Sequence, residues 1–249
     1  MAIPVLLICV VLWCIPLFKR LKKFGTVSKK RLLMALFLGL VPGTVLILLI
    51  DNVGGLIIEM IGNLVLKLSG RDIAFGDTLV YQFLLCFLIV ALGEEGIKYL
   101  FGRVAVRKGE TYNKLDYVAL FGAVGLGYEI SESVMYSLGG GGIMLGLLRG
   151  AFLTHAMWQF FMGAHYFESI KNGSKKEKRS AFFVPYIIHA VNDFMLEVAD
   201  KALLDEASDL FFIIGLIAFV LAVALNVFNA VICYKTALKS TEGIDTPAQ

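Results

Sequence analysis

Two adjacent carboxylates and one ammonium group lie near the end of a long apolar run that begins at about Leu79. They belong to the stretch Ala91-Leu-Gly-Glu-Glu-Gly-Ile-Lys98. An ionisable side chain at the centre of a membrane-spanning helix costs roughly 2.5–3.5 kcal/mol, so such a group is retained where it pairs, binds an ion or takes part in chemistry. On a helix, Lys98 is placed to pair with Glu94 or Glu95. An ion pair at the inner interface explains one glutamate more readily than two.

Two later apolar segments contain further polar groups that could act with these carboxylates. Glu129 and Glu132 are three residues apart and share one side of a helix, and Tyr136 follows one turn beyond Glu132. His155 stands among apolar residues, with Arg149 before it. A solvated position near the outer surface is an alternative for Glu129. We expect Glu132 and His155 to belong to a buried site.

A third segment carries the pattern His189-Ala-Val-Asn-Asp193. The spacing of four residues stacks His189 and Asp193 on one face of a helix, with Asn192 beside them. An aspartate in this position can orient an imidazole or share its ligand role. Each ionisable group in an apolar segment is energetically costly, so chance does not explain so many of them in separate segments. We therefore expect these groups to converge on Glu94 and Glu95.

The composition identifies an integral membrane protein. Of the 249 residues, 58% are hydrophobic and 17% are charged, and the mean hydropathy is +0.79. A soluble domain would be about half apolar and about one quarter charged. The apolar runs are long enough for helices rather than barrel strands. The predicted fold is therefore all-α, a polytopic bundle of transmembrane helices.

Seven apolar segments have about the 20 residues that one membrane span requires. They cover residues 2–18, 32–50, 78–101, 117–138, 146–169, 181–199 and 210–234. The loop at 19–31 holds seven basic and no acidic residues, whereas the loop at 200–209 holds four acidic residues and one lysine. The positive-inside rule then places the N-terminus outside and the C-terminus inside. The basic loops are interpreted as topology anchors, and no nucleic-acid binding is expected.

The chain is predicted to form one integral membrane domain over residues 1–240, with its functional core at about 78–199. The polar tail at 241–249 is expected to be disordered. Residues 52–68 are apolar with spaced polar groups, which fits a helix at the outer interface. A simple loop or a short re-entrant segment is an equally acceptable interpretation of this stretch. The four cysteines form no C-x-x-C pair, and no disulfide or cysteine metal site is expected.

These motifs occur in an order that resembles the PrsW family of intramembrane proteases, which is related to the wider CPBP group that includes the CaaX prenyl endopeptidases. The resemblance covers about residues 80–195. It rests on Glu94-Glu95-x-x-Lys98, on Asp116 and the glycine-rich stretch leading to Glu132-x-x-x-Tyr136, on Arg149 before His155, and on His189-x-x-x-Asp193. Ser133 stands where the family commonly has asparagine after the glutamate. Glu129 is an additional acid, so the roles of Glu129 and Glu132 are left open.

The resemblance implies hydrolysis of a peptide bond in a membrane-anchored protein substrate, at the membrane of a bacterial cell. The residues suit this reaction, since a carboxylate in a low-dielectric site can activate water and hydrogen-bonding groups can stabilise the oxyanion. Glu94 or Glu95 would be the general base, with His155 positioning the water. His189, with Asp193 and Asn192, would stabilise the oxyanion.

A metal-dependent mechanism uses the same residues in a different way. Glu132, His155 and His189 would hold Zn²⁺, and Glu95 would activate the water bound to it. No H-E-x-x-H helix is present in the sequence, so this zinc site requires three separate spans to meet. The sequence does not decide between the metal and the glutamate mechanism.

Two other classes of function fit parts of the pattern. A proton- or ion-coupled transporter also places Glu, His and Asp inside the membrane. The sequence shows no internal repeat, which many transporters have. A non-catalytic membrane scaffold that has kept the fold is the other alternative.

Overall fold

The computed structural model describes residues 15–71, 73–106, 112–138, 152–204 and 209–241. These residues form helices and no strand, in the order α1 (15–24), α2 (Lys29–Leu38), α3 (Thr44–Leu68), α4 (Leu79–Leu84), α5 (Ala91–Ala105), α6 (Lys114–Leu138), α7 (Thr154–Lys171), α8 (Lys175–Leu204) and α9 (Asp209–Lys239). Two π-helical stretches, Gly39–Gly43 and Leu85–Val90, connect α2 to α3 and α4 to α5. The predicted all-helical class is confirmed.

Five helical stretches of the described chain are long and apolar enough to cross a membrane. They are Lys29–Leu68, Leu79–Ala105, Lys114–Met135, Lys175–Ala202 and Leu210–Lys239. Most of the first predicted span and the start of the fifth lie outside the described residues. The count of seven spans and the orientation of the termini therefore stay predictions, whereas the polytopic membrane architecture is confirmed.

The stretch at 52–68 is helical and belongs to α3, so the interpretation as a simple loop is wrong. The continuous helical stretch Lys29–Leu68 has 40 residues. At 1.5 Å per residue it measures about 60 Å along its path, twice the hydrocarbon thickness of a bilayer. Pro42 lies inside the π-helical stretch between α2 and α3, where a proline removes a backbone hydrogen bond and favours a bend. The interfacial position of 52–68 stays a prediction.

The chain divides into two compact units, which are considered separately. Unit 1 comprises residues 1–44, 96–185 and 227–249, and unit 2 comprises residues 45–95 and 186–226. The boundary at Glu95–Gly96 falls inside α5. A single membrane domain over residues 1–240 therefore remains a prediction.

In unit 1, α6 is the central helix, and its glycines allow neighbouring backbones to approach. A Cβ atom on Gly125 would lie 2.5 Å from the carbonyl oxygen of His155 on α7, and one on Gly127 would lie 2.1 Å from that of Leu36 on α2. Any larger residue would force these helices apart. Small residues at such contacts are typical of helices that pack within membranes. This packing brings the start of α7 against the middle of α6.

The start of α6 is held by a hydrogen-bonded network around Asp116, which is fully buried. Asn113 and Asp116 form a reciprocal cap, in which each side chain accepts a hydrogen bond from the other residue's backbone N–H at 3.0 Å. The Asp116 carboxylate also accepts from the backbone N–H groups of Thr26, at 2.8 Å, and Val27, at 3.1 Å. The loop after α1 is thereby attached to the first turn of α6.

Unit 2 contains a close contact between α8 and the π-helical stretch before α5. The Tyr186 hydroxyl donates a hydrogen bond to the backbone carbonyl of Phe87 at 2.9 Å. Phe83 packs edge-to-face on Phe194, with ring centroids 5.6 Å apart. π-Helical stretches often occur next to functional sites. This contact positions the part of α8 that follows Tyr186 against the start of α5.

We predict that Asp116→Ala lowers the free energy of unfolding by about 2–4 kcal/mol, because the backbone N–H groups of Thr26, Val27 and Asn113 lose a charged acceptor. Thermal unfolding of the purified protein in detergent measures this loss. Ser69→Ala removes a side-chain bond to the Val65 carbonyl at an exposed helix end and should change stability by less than about 0.5 kcal/mol. Equal stability of the two variants would contradict the proposed role of Asp116.

Candidate active site

Four ionisable side chains of unit 2 form a buried group, here called the acid–imidazole cluster: Glu94, Glu95, His189 and Asp193. The Nδ1 atom of His189 lies 3.0 Å from a carboxylate oxygen of Glu95, and its Nε2 atom lies 3.0 Å from Asp193. The Glu94 carboxylate is 3.8 Å from the same Nε2 atom. Glu95 and His189 are essentially inaccessible to solvent, at 0% and 1% exposure. Two residues from α5 and two from α8 thus meet as the sequence predicted.

Local structure accounts for this arrangement. Glu94 and Glu95 are consecutive residues in the first turns of α5, directly after the π-helical stretch that Tyr186 contacts. His189 and Asp193 are one turn apart on α8, so the aspartate reaches the imidazole of its own helix. Gly93 permits the close approach of α3, since a Cβ atom there would lie 2.7 Å from Ile50.

The ligand atoms of the acid–imidazole cluster suit a bound cation. Carboxylate oxygens and imidazole nitrogens are ligands that zinc and other divalent transition metals accept. Ligand atoms of Glu94, Glu95 and His189 lie within 4.8 Å of one another. The donor set of these residues therefore fits a metal ion.

An amide group continues this network. Asn192 donates a hydrogen bond from Nδ2 to Oδ1 of Asp193 at 3.3 Å, and its own Oδ1 accepts one from Nδ2 of Asn226 at 2.8 Å. Asn192 was a predicted supporting residue, but Asn226 on α9 was not predicted. The sequence feature that could have indicated Asn226 is a polar amide near the middle of a strongly apolar helix, where an unpaired amide is unfavourable.

A second buried group lies in unit 1 and is here called the lysine–histidine cluster: Lys98, Glu132 and His155. Nδ1 of His155 lies 2.7 Å from Nζ of Lys98, and Nε2 lies 2.6 Å from Oε2 of Glu132. The Lys98 ammonium also lies over the Tyr128 ring, 4.1 Å from its centroid. Because an ammonium only donates and a carboxylate only accepts, His155 is assigned the tautomer with its proton on Nε2.

Glu129 and Glu132 contact different parts of His155. Glu132 contacts the imidazole ring, whereas Glu129 accepts a hydrogen bond from the backbone N–H of His155 at 2.9 Å. His155 is in the first turn of α7, where backbone N–H groups have no partner within the helix. Leu153, the residue before the first residue of α7, has a left-handed backbone (φ 46°) and provides no side-chain cap. Glu129 therefore caps α7 from α6.

The remaining candidates lie apart from these groups or outside the described residues. His165 contacts Glu177 at the connection between α7 and α8. Arg149 lies outside the described residues. Tyr136 belongs to α6, but its side chain is outside the described part of the chain.

We predict that Glu129→Ala lowers the free energy of unfolding by about 1–2 kcal/mol, as expected for loss of a helix cap. Glu129→Gln keeps a carbonyl acceptor and should lose less. Thermal unfolding in detergent compares the two variants. An unchanged stability of Glu129→Ala would contradict the capping role.

Comparison with known proteins agrees with these motifs. A family model described as PrsW family intramembrane metalloprotease matches residues 28–226. The chain is also similar to the protein named Protease PrsW from Oceanobacillus iheyensis, with 29% identity over 142 residues. The aligned region is 54% of this chain and spans 65% of that relative's length. No solved structure matches the chain. Because the family model covers most of the sequence, the chain belongs to the PrsW family of intramembrane metalloproteases, the family that its motifs predicted.

Proposed function

We propose that this protein is an intramembrane peptidase that hydrolyses a peptide bond in a membrane-anchored protein. The observation that supports this most directly is the buried acid–imidazole cluster of Glu94, Glu95, His189 and Asp193, in a chain of this family. Carboxylates held beside an imidazole in an apolar environment are suited to proton transfer. The proposed location is the bacterial cytoplasmic membrane, with a core at about 78–199 within one membrane domain.

In the proposed reaction, Glu94 or Glu95 takes a proton from water while the water oxygen bonds to the carbonyl carbon. His189 donates a hydrogen bond from Nδ1 to the developing oxyanion in place of its contact with Glu95, and Asp193 and Asn192 hold the orientation of the imidazole through Nε2. The C–N bond then breaks, and the leaving nitrogen takes the proton that the glutamate received. The lysine–histidine cluster is proposed to act on the same water through His155.

Helix α5 provides a reason to assign both clusters to one reaction. Its residues Glu94 and Lys98 are one turn apart on a single helix, and Lys98 is hydrogen-bonded to His155. We propose on this basis that His155 acts beside the glutamates. The contact of Glu132 with Nε2 of His155 supports an orienting role for Glu132.

We propose Zn²⁺ as the metal, held within the acid–imidazole cluster by His189 together with carboxylates of Glu94 and Glu95. Imidazole nitrogens and carboxylate oxygens are both ligands that zinc accepts. When bound, the ion would polarise the substrate carbonyl and make water more acidic. Glu132 and His155, which the sequence suggested as ligands, contact each other in unit 1, and Glu132 is proposed instead to fix the tautomer of His155.

We predict that replacing the general base by its amide, Glu94→Gln or Glu95→Gln, lowers kcat about 10²–10⁴-fold, because the amide accepts no proton. The measurement is cleavage of single-span membrane proteins in vesicles reconstituted with the purified protein. Glu197→Gln is the matched control, because Glu197 is an exposed acid on α8 one turn beyond Asp193. Undiminished cleavage by both glutamate variants would refute the assignment.

We further predict about one zinc ion per chain in the purified protein, measured by elemental analysis. His189→Ala should lower this content, because it removes an imidazole ligand from the acid–imidazole cluster. Removal of the metal with a chelator should abolish cleavage, and zinc should restore it. Full activity of metal-free protein would instead favour a mechanism that uses the glutamates alone.

A further inference from the structure

Asn226 lies near the middle of α9, which contains the most apolar of the five candidate membrane spans described. The stretch Leu210–Lys239 has a hydropathy of 2.8 in its most apolar window, yet Asn226 is only 5% exposed. An amide in such surroundings is unfavourable unless it is hydrogen-bonded. Its Nδ2 donates to Oδ1 of Asn192 at 2.8 Å, so Asn226 is satisfied by a residue beside the acid–imidazole cluster.

The direction of each hydrogen bond in this network follows from Asp193. A carboxylate only accepts, so Asn192 must present its NH₂ group to Asp193. The carbonyl oxygen of Asn192 then faces α9 and requires a donor there. The NH₂ group of Asn226 is that donor. A side chain without a donor at position 226 leaves this oxygen without its hydrogen bond.

The two oxygens of Asp193 have separate partners. Oδ1 accepts from Asn192, while Oδ2 lies 3.0 Å from Nε2 of His189. The bond to Oδ1 therefore restricts rotation of the carboxylate and directs Oδ2 at the imidazole. Residues that orient a histidine in this way change affinity or activity by about 10–100-fold when they are replaced.

We propose that Asn226 is a positioning residue: through Asn192 and Asp193 it sets the orientation and hydrogen bonding of His189. The effect on catalysis rests on the proposed peptidase function, whereas the effect on the His189 ring does not. Asn226 touches neither the imidazole nor a reacting atom in this scheme and acts through the two intervening side chains.

The chain provides a closely matched control for a test of this proposal. Asn229 is one turn further along α9 and is also buried, at 4% exposure, but its Oδ1 accepts from the Cys233 thiol instead. Asn226→Leu and Asn229→Leu therefore introduce the same change on the same helix. Asn226→Ala, which adds no bulk, serves as a second variant should the leucine at 226 prevent folding.

The first measurement is ¹⁵N NMR of the full chain in lipid vesicles with ¹⁵N-labelled histidine. The chain contains three histidines, and His189→Gln identifies the His189 ring signals. We expect Asn226→Leu or Asn226→Ala to shift the His189 ring signals while Asn229→Leu leaves them unchanged. Unchanged His189 signals in the Asn226 variants, or an equal shift in Asn229→Leu, would overturn the proposal.

A double-variant comparison tests whether the effect passes through Asn192. In an Asn192→Ala background, Asn226→Leu should cause no additional shift of the His189 signals, since the connection is already lost. A full additional shift would show a different route and overturn the proposal.

Kinetic measurements provide the third test. We expect Asn226→Leu to lower kcat about 10–100-fold with little change in KM. Shifted His189 signals in a protein without peptidase activity would support the positioning role and refute the proposed function instead.

Discussion

The structure depends on one physical constraint: a charged or polar side chain placed in an apolar medium must find a partner there. The acid–imidazole cluster satisfies this constraint within unit 2, where His189 has a carboxylate at each ring nitrogen. The lysine–histidine cluster satisfies it within unit 1, where His155 lies between an ammonium and a carboxylate. These side chains are buried, so removing one partner leaves the other with an uncompensated desolvation cost. The apolar surroundings that make an isolated charge unfavourable also make these paired groups suitable for proton transfer.

The surrounding helices serve mainly to bring these partners within reach. In unit 1, Gly125 lets α7 approach α6 so closely that Glu129 can cap the first turn of α7 and Glu132 can contact the ring of His155. In unit 2, the bond from Tyr186 to Phe87 joins α8 to the stretch before α5. Both contacts involve the backbone of a neighbouring segment, so they set the positions of the helices and thereby of the side chains that the helices carry.

Local spacing explains which parts of the site could be predicted from the sequence. His189 and Asp193 are four residues apart, and helical geometry alone brings them together. Glu94 and Glu95 were recognisable because ionisable residues are rare inside apolar runs. The partners of His155 were harder to predict, because Lys98 is separated from it by 57 positions in the sequence and Glu132 by 23. These contacts depend on how α6 and α7 pack, and a single sequence contains no direct record of that packing.

Asn226 shows a different limit of sequence reasoning. An asparagine in an apolar helix indicates that a partner exists, but it does not indicate which one, and Asn229 gives the same signal three residues later. The structure separates them: Asn226 pairs with Asn192 on α8, while Asn229 accepts from Cys233 on its own helix. The fixed direction of hydrogen bonds from an acceptor-only aspartate then gives the Asn226 amide a defined orientation. Through the hydrogen bonds of Asn192, one buried carboxylate in this way determines the orientation of an amide on another helix.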